Sequence, residues 1–298
     1  MTQAPMDHPG HTATRANESV GDTGSDKGPL SRRALKAVLA APELVAKRRP
    51  GPRILIYHQV GTNLGREMEL ATETFASQID YLQTEGSIVS LDEAVSRIGE
   101  PGDDRLFVLT FDDGYADMYT NAFPLLAERS IPFTLYVTTQ PVEGSLEFPP
   151  GAVPLTWEQL EVMLGSGLAT VGSHTHTHPD VRLLDSEAVA HELDESNRLI
   201  GDRLGVQPSH FAYPKGWWSA AAEPEVRVRY KTAAHGEGPP NLAGTDPYRL
   251  HRVAVQKSDG MRFFKRKLST GLVLEDRLRR IVRPYRGPSI ASSSSGVR

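Results

Sequence analysis

The chain has no cysteine among its 298 residues, so disulfides and thiolate metal sites are both excluded. Any metal would have to sit on His, Asp or Glu. Long apolar runs are also missing: none approaches the roughly 20 residues that a bilayer-spanning helix needs. Neither sign of charge dominates, with 33 Lys and Arg against 37 Asp and Glu, so the molecule as a whole is not built for nucleic acid. Residues 1–31 have no apolar segment behind a basic start and do not read as a signal peptide. The later run 32–41 contains Lys36, is broken by Pro42, and reads as a short helix leading into a domain. A cytoplasmic location is therefore the default expectation, although the lack of cysteine does not forbid export.

What is present is an alternation of strand-like and helix-like segments. Apolar runs at 53–57, 106–111, 133–138, 168–173, 209–213, 230–234 and 252–256 read as strands. Between them, Phe75, Ile79 and Leu82 share one face of a helix over 72–85, and Val189, Leu193, Ile200 and Leu204 share one side of another over 186–204. Ser90 with Glu93, and Thr156 with Gln159, have the spacing of helix-opening capping boxes for 90–98 and 156–165. Such alternation argues for an α/β fold with a parallel sheet, closed into a barrel more readily than split in two. The expected organisation is a flexible tail with a short helix over 1–50, a single catalytic barrel over 51–260, and a basic helical tail with a Ser-rich end over 261–298. That last segment interleaves Arg and Lys with Phe263, Phe264, Leu272 and Leu278. It reads as a helix packed on the barrel, with weak contact to an anionic membrane surface as the lesser alternative.

Chemistry gathers at the C-terminal ends of barrel strands, and Asp112, Asp113, His174, Pro214 and His58 all follow strand candidates directly. Phe111-Asp112-Asp113-Gly114 offers two adjacent carboxylates, and Ser173-His174-Thr175-His176-Thr177-His178-Pro179 offers imidazoles four apart. Asp113, His174 and His178 form an open ligand set for a catalytic divalent ion, most readily Zn2+. Pro179 disfavours helix at His178, so a turn must bring the imidazoles together. Asp112 cannot easily reach the same ion as its neighbour and is better placed as a general base. His176, between the ligands, reads as a polar turn residue. His58 should emerge at the catalytic rim and supply the acid, whereas His251 precedes its strand and belongs to the opposite end.

The stretches 110–114 and 173–179 resemble the NodB-like polysaccharide deacetylases, carbohydrate esterase family 4. Leu55-Ile56-Tyr57-His58-Gln59-Val60, Phe211-Ala212-Tyr213-Pro214-Lys215-Gly216 and Tyr248-Arg249-Leu250 extend the likeness over about 53–256. These are most similar to the circularly permuted branch that includes poly-N-acetylglucosamine deacetylases, in which the histidine-bearing strand stands first. The resemblance implies a distorted (β/α)7 barrel that hydrolyses N-acetyl groups on sugars or polysaccharides. It casts Asp112 as base, His58 as acid, and Asp113, His174 and His178 as metal ligands.

Many family members carry Arg-x-Pro-Tyr-Gly where this chain has Ala212-Tyr213-Pro214-Lys215-Gly216. The arginine that would orient the base is absent there, and Lys215 replaces a tyrosine. The loop residues Tyr213, Lys215, Trp217 and Trp218 are the candidates for substrate and oxyanion contacts. The Lys215 backbone N–H could hold an oxyanion, and each tryptophan could either stack on a sugar or anchor its loop. Two other readings stay open: a related metal-dependent amidase for a small cyclic amide or ureide, and a non-catalytic carbohydrate-binding protein. The second has no use for a base beside a metal.

Overall fold

Strand and helix alternate along the chain, and a computed structural model describes residues 50–144, 148–236 and 238–269. In chain order the elements are β1 (Arg53–Tyr57), β2 (Gln59–Val60), β3 (Glu69–Leu70), α1 (Thr72–Glu85), β4 (Ser87–Ile88) and α2 (Leu91–Ser96). There follow β5 (Leu106–Phe111), α3 (Phe123–Glu128), β6 (Phe133–Val137), α4 (Thr139–Val142), α5 (Trp157–Gly165), β7 (Ala169–Ser173) and α6 (Ser186–Leu204). The chain continues through β8 (His210–Ala212), α7 (Glu223–Arg227), β9 (Thr232–Ala234), β10 (Arg252–Ala254) and α8 (Gly260–Ser269).

The main sheet runs β10-β1-β5-β6-β7-β8-β9 with every pairing parallel. A parallel bridge between Ala234 and Leu250 brings the segment before β10 back to β9. His235 N donates to Leu250 O at 2.9 Å, and Leu250 N to Ala233 O at 3.0 Å. The ring thus nearly closes, as a distorted barrel of seven main strands wrapped by helices. All seven expected strands are present. The later ones are shorter than expected because the loops diverge early, although Val255 N still bonds Ile56 O and Tyr213 N still bonds Ala234 O. The two-residue strands β2, β3 and β4 are too short to leave a periodic signal.

Alternation within the strands sorts side chains between two layers. Leu55, Tyr57, Phe107, Leu109 and Phe111 pack outward against Phe75, Ile79 and Leu82 of α1. Ile54, Leu106, Val108, Tyr136, Ala212 and Ala234 fill the barrel, plugged from below by Val89 and Leu91. Both faces are covered, which is why the strands read as unbroken apolar runs. The helix starts follow the expected chemistry. Thr156 and Gln159 form a full capping box on α5, and Ser90 accepts from Glu93 N on α2. Asp185 caps α6, which ends at Gly205 in the left-handed region (φ 68°).

Residues 260–269 form α8, with Phe263, Phe264 and Leu268 buried against the barrel and Lys267 paired with Asp259 at 2.8 Å. This part of the basic segment therefore packs on the barrel. The rest of the expected tail, 270–298, and the expected N-terminal tail over 1–49 lie outside the described residues. Among the described residues, no helix is long and apolar enough to cross a membrane.

Candidate active site

The turn after β5 presents the paired carboxylates. Asp112 N continues the ladder to Tyr57 O (3.0 Å), whereas Asp113 takes a left-handed backbone (φ 71°). A non-glycine residue in that region is uncommon, and strain of this kind is typically of order 1–3 kcal/mol. The surrounding ladder holds it: Gly114 N bonds Asp112 O at 2.9 Å, and Asp113 O accepts from Thr138 N at 3.3 Å.

The turn after β7 presents the imidazoles. His174 Nδ1 donates to Ala212 O at 2.7 Å, which fixes the tautomer and leaves Nε2 facing Asp113 Oδ1 at 3.4 Å. Thr175 (φ 68°) and His178 (φ 59°) are both left-handed, so the chain doubles back and sets His178 Nε2 3.3 Å from the same oxygen. The turn is clamped by Glu192 of α6. Its carboxylate accepts from His176 N (2.9 Å), Thr177 N (2.8 Å) and Thr177 Oγ1 (2.7 Å). His176 points away and bonds Thr139 Oγ1 through Nδ1 at 2.9 Å. Glu192 was not foreseen from sequence, where it is one more polar residue of an amphipathic helix.

The three donor atoms all lie within 4.8 Å of one another. Zinc–ligand bonds of about 2.0–2.2 Å at tetrahedral angles put ligand atoms roughly 3.3–3.5 Å apart. The observed 3.3 and 3.4 Å match that spacing, so the donor set fits a divalent ion of this kind. For His178 and Asp113 the electrostatics agree. Burial, reinforced by His174, holds His178 down to about 4, leaving it neutral at pH 7 as a ligand must be. Burial raises Asp113, but the His174 hydrogen bond and the charges of His58, His174 and His178 outweigh it and hold the carboxyl well below its ordinary value. For His174, burial works downward, yet the Asp113 hydrogen bond and both aspartate charges prevail and raise it.

Asp112 has a partner that sequence reading missed. Arg252 of β10, fully buried, bonds both carboxylate oxygens at 2.7 Å and Thr110 Oγ1 at 3.1 Å. Its Nε donates to His235 O (3.2 Å), and its guanidinium lies 5.3 Å from the Tyr136 ring centre. Burial raises the Asp112 pKa, but the Arg252 charge and hydrogen bonds, with help from His174, bring it below the ordinary value. An arginine inside an otherwise apolar strand was the available signal, because a buried guanidinium requires a carboxylate.

One cavity of about 590 Å³ unites the site, lined by His58, Asp112, Asp113, His174 and His178 together with Lys215, Trp217 and Arg252. His58 stands just beyond β1 with a buried Nδ1 that has no hydrogen-bond partner among the described residues. Lys215 takes a left-handed backbone (φ 61°) and is exposed at the rim. Pro149, from the loop between α4 and α5, also lines the cavity.

Tyr213 and Trp218 are not among the lining residues. Tyr213 is fully buried in the outer layer with Phe211 and Val226, and Trp218 packs against that cluster with its Nε1 on Glu223. Adjacent residues on the loop therefore point to different sides: Trp217 faces the cavity and Trp218 anchors the loop. His251, at the start of β10, packs edge-on against His235 at 4.4 Å and does not line the cavity.

The sequence model of the family Polysaccharide deacetylase matches residues 99–230, a span that contains both carboxylates and both ligand histidines but not His58 or Arg252. The YxkH protein of Bacillus subtilis (strain 168) is 26% identical over 217 residues, covering 70% of this chain and 72% of that protein. The poly-beta-1,6-N-acetyl-D-glucosamine N-deacetylase of Escherichia coli (strain K12) is 32% identical over 123 residues, 37% of this chain and 18% of that protein. Among solved structures, IcaB from Ammonifex degensii superposes with a TM-score of 0.60 at 28% identity, covering 71% of this chain and 94% of IcaB.

Proposed function

We propose that the chain, which carries a polysaccharide deacetylase match over residues 99–230, removes N-acetyl groups from an N-acetylated sugar or polysaccharide by metal-assisted amide hydrolysis. The observation that carries this reading is the pairing of two carboxylates with separate duties. Asp113 Oδ1 lies 3.4 and 3.3 Å from the Nε2 atoms of His174 and His178, while its neighbour Asp112 is turned to Arg252.

A divalent ion such as Zn2+ on Asp113, His174 and His178 would supply a Lewis acid for the acetamide carbonyl and a source of hydroxide near neutral pH. Asp112 takes up the proton of the attacking water, and Arg252 fixes the direction of its carboxylate. The Lys215 backbone N–H is offered to the oxygen that gains negative charge. His58, on the same cavity wall system, passes a proton to the departing sugar amine. Trp217 provides an apolar face for a sugar ring.

The test is acetate release from a panel of N-acetylated glycans, with a cyclic ureide as control, in the presence of chelator and after zinc is restored. Turnover of a glycan that chelator abolishes and zinc restores is expected. Asp112→Asn should lose turnover yet keep zinc. Near-normal turnover by that variant would refute the base assignment, and ureide hydrolysis alone would refute the substrate class.

A further inference from the structure

We propose that the substrate bears an anionic group, a carboxylate or a phosphate, beside the acetylated sugar, and that Lys215 and Arg66 receive it. This rests on the deacetylase reading and deepens it. The argument begins with charge pairing. Several arginines elsewhere among the described residues hold carboxylates: Arg182 holds Asp180, Arg203 holds Glu143, Arg229 holds Asp194 and Arg252 holds Asp112. Arg66 lines the cavity but, among the described residues, bonds only neutral oxygens, Gln59 Oε1 at 3.2 Å and Pro150 O at 2.6 Å. The Lys215 ammonium also lines the cavity. Its contact is the Trp217 ring, 5.3 Å to the centre, rather than a carboxylate. Asp180 on the neighbouring turn is already held by two Arg182 nitrogens at 2.8 and 2.6 Å.

Three acids line the cavity with three cations, Arg66, Lys215 and Arg252, but among the described residues no ion pair joins an acid to Arg66 or Lys215. Asp112 is neutralised by Arg252, Asp113 belongs to the ligand set, and Glu67 accepts from Ser258. With a divalent ion in place, the lining carries surplus positive charge, and a cleft of one sign draws ligands of the other. The two cations also come from well-separated parts of the ring. Arg66 lies between β2 and β3, directly after β1, and Lys215 follows β8, three strands away through β10 and β9. A charged substituent reaching either wall finds a partner. The Lys215 position is costly for its side chain, since φ 61° suits Gly or Asn best. Gly216 N on Tyr213 O (2.9 Å) and Gly236 N on Gly216 O (3.0 Å) hold the turn in that shape. The lysine stem therefore departs from a fixed point at the cavity rim.

The experiment compares zinc-loaded enzyme on three size-matched substrates: a neutral N-acetylglucosamine oligomer, one carrying a lactyl carboxylate, and one carrying a sugar phosphate. One of the anionic substrates should show a KM about tenfold lower than the neutral one, equivalent to about 1.4 kcal/mol. That advantage should vanish in Lys215→Gln and in 0.5 M salt, shrink in Arg66→Gln, and survive in Lys215→Arg. The carboxylate and phosphate arms identify which anion is read. Equal KM for neutral and anionic substrates, or an advantage untouched by Lys215→Gln, overturns the proposal.

If no glycan is turned over, the deacetylase reading fails while the anion site is still decided by binding. Glucuronate and glucose 1-phosphate should bind the zinc-loaded protein more tightly than glucose, with the difference lost in Lys215→Gln. Retention of that difference would assign binding to the ion and sink the lysine's role.

Discussion

Both carboxylate oxygens of Asp112 are gripped at 2.7 Å by the two terminal nitrogens of Arg252, a residue 140 positions further along the chain. A two-pronged hold of this kind fixes direction as well as charge. Arg252→Met should therefore lower kcat by roughly a hundredfold, the scale expected for a misdirected catalytic group. It should also cost about 3–5 kcal/mol of stability, because the buried carboxylate loses its counter-charge. Arg252→Lys should fall between, keeping the charge but not the fork. Zinc affinity by chelator competition should change little. A large loss of zinc in either variant would mean that Arg252 supports the ligand turn and not the base.

The Glu192 clamp makes a separate prediction. Three donors of the 176–177 turn end on its carboxylate, and the left-handed His178 hangs from that turn. Glu192→Ala should weaken zinc binding by about 10–100-fold, as loss of ligand-supporting partners does. Turnover should recover at saturating zinc. If affinity is unchanged in a competition titration, the clamp does not position the ligand.

Asp117 gives a pH dependence. Its Oδ1 accepts from Val60 N at 2.7 Å, yet burial, opposed by that bond and by Gln59 and aided by the charge of Glu69, raises its pKa to about 6. The folded state then binds a proton that the unfolded chain has released between about pH 4 and pH 6. Stability from this group is complete below that window and is lost as pH rises through about 6, on the order of 3 kcal/mol. Asp117→Asn keeps an acceptor for Val60 and cannot ionise. Urea unfolding of the two proteins should thus diverge with rising pH, the variant gaining relative to the parent. Parallel curves from pH 4 to 7 would contradict this.

Trp217 and Trp218 should separate binding from stability. Trp217 lines the cavity with the Arg182 guanidinium 3.8 Å over its ring, whereas Trp218 is tied to Glu223 and packed on the outer cluster. Trp217→Ala is expected to raise KM several-fold with little change in melting temperature. Trp218→Ala should lose about 3 kcal/mol of stability through the void it leaves, with KM near normal once folded. Identical effects from the two would argue that the loop moves as a unit.

Much of this site could be read before the fold was known, and the reason is local. A carboxylate pair or a histidine turn placed at the end of an apolar run stays at the strand end whatever the ring does. The spacing that sets Asp113 against His174 and His178 follows from neighbouring strands β5, β6 and β7 lying in register. Arg252 resisted the same reading because its partner depends on ring closure. Only when β10 lies beside β1, with Arg252 opposite Ile54, does the guanidinium enter the barrel beneath Asp112. Tyr213 and Trp218 were placed among the contact candidates by their position in a motif, but the sheet's alternation sends the first to the outer layer, and packing on that layer takes the second.

The amino-acid order alone thus determined the seven main strands, four of the helices between them (α1, α2, α5 and α6), and which side chains stand at the strand ends, because hydrophobic period and capping chemistry act over a few residues. Tertiary structure decided which of those side chains face one cavity, what holds them, and where unbalanced charge remains. Those outcomes depend on contacts between residues far apart in the chain, and such contacts exist only after the sheet has curled round to meet its own edge.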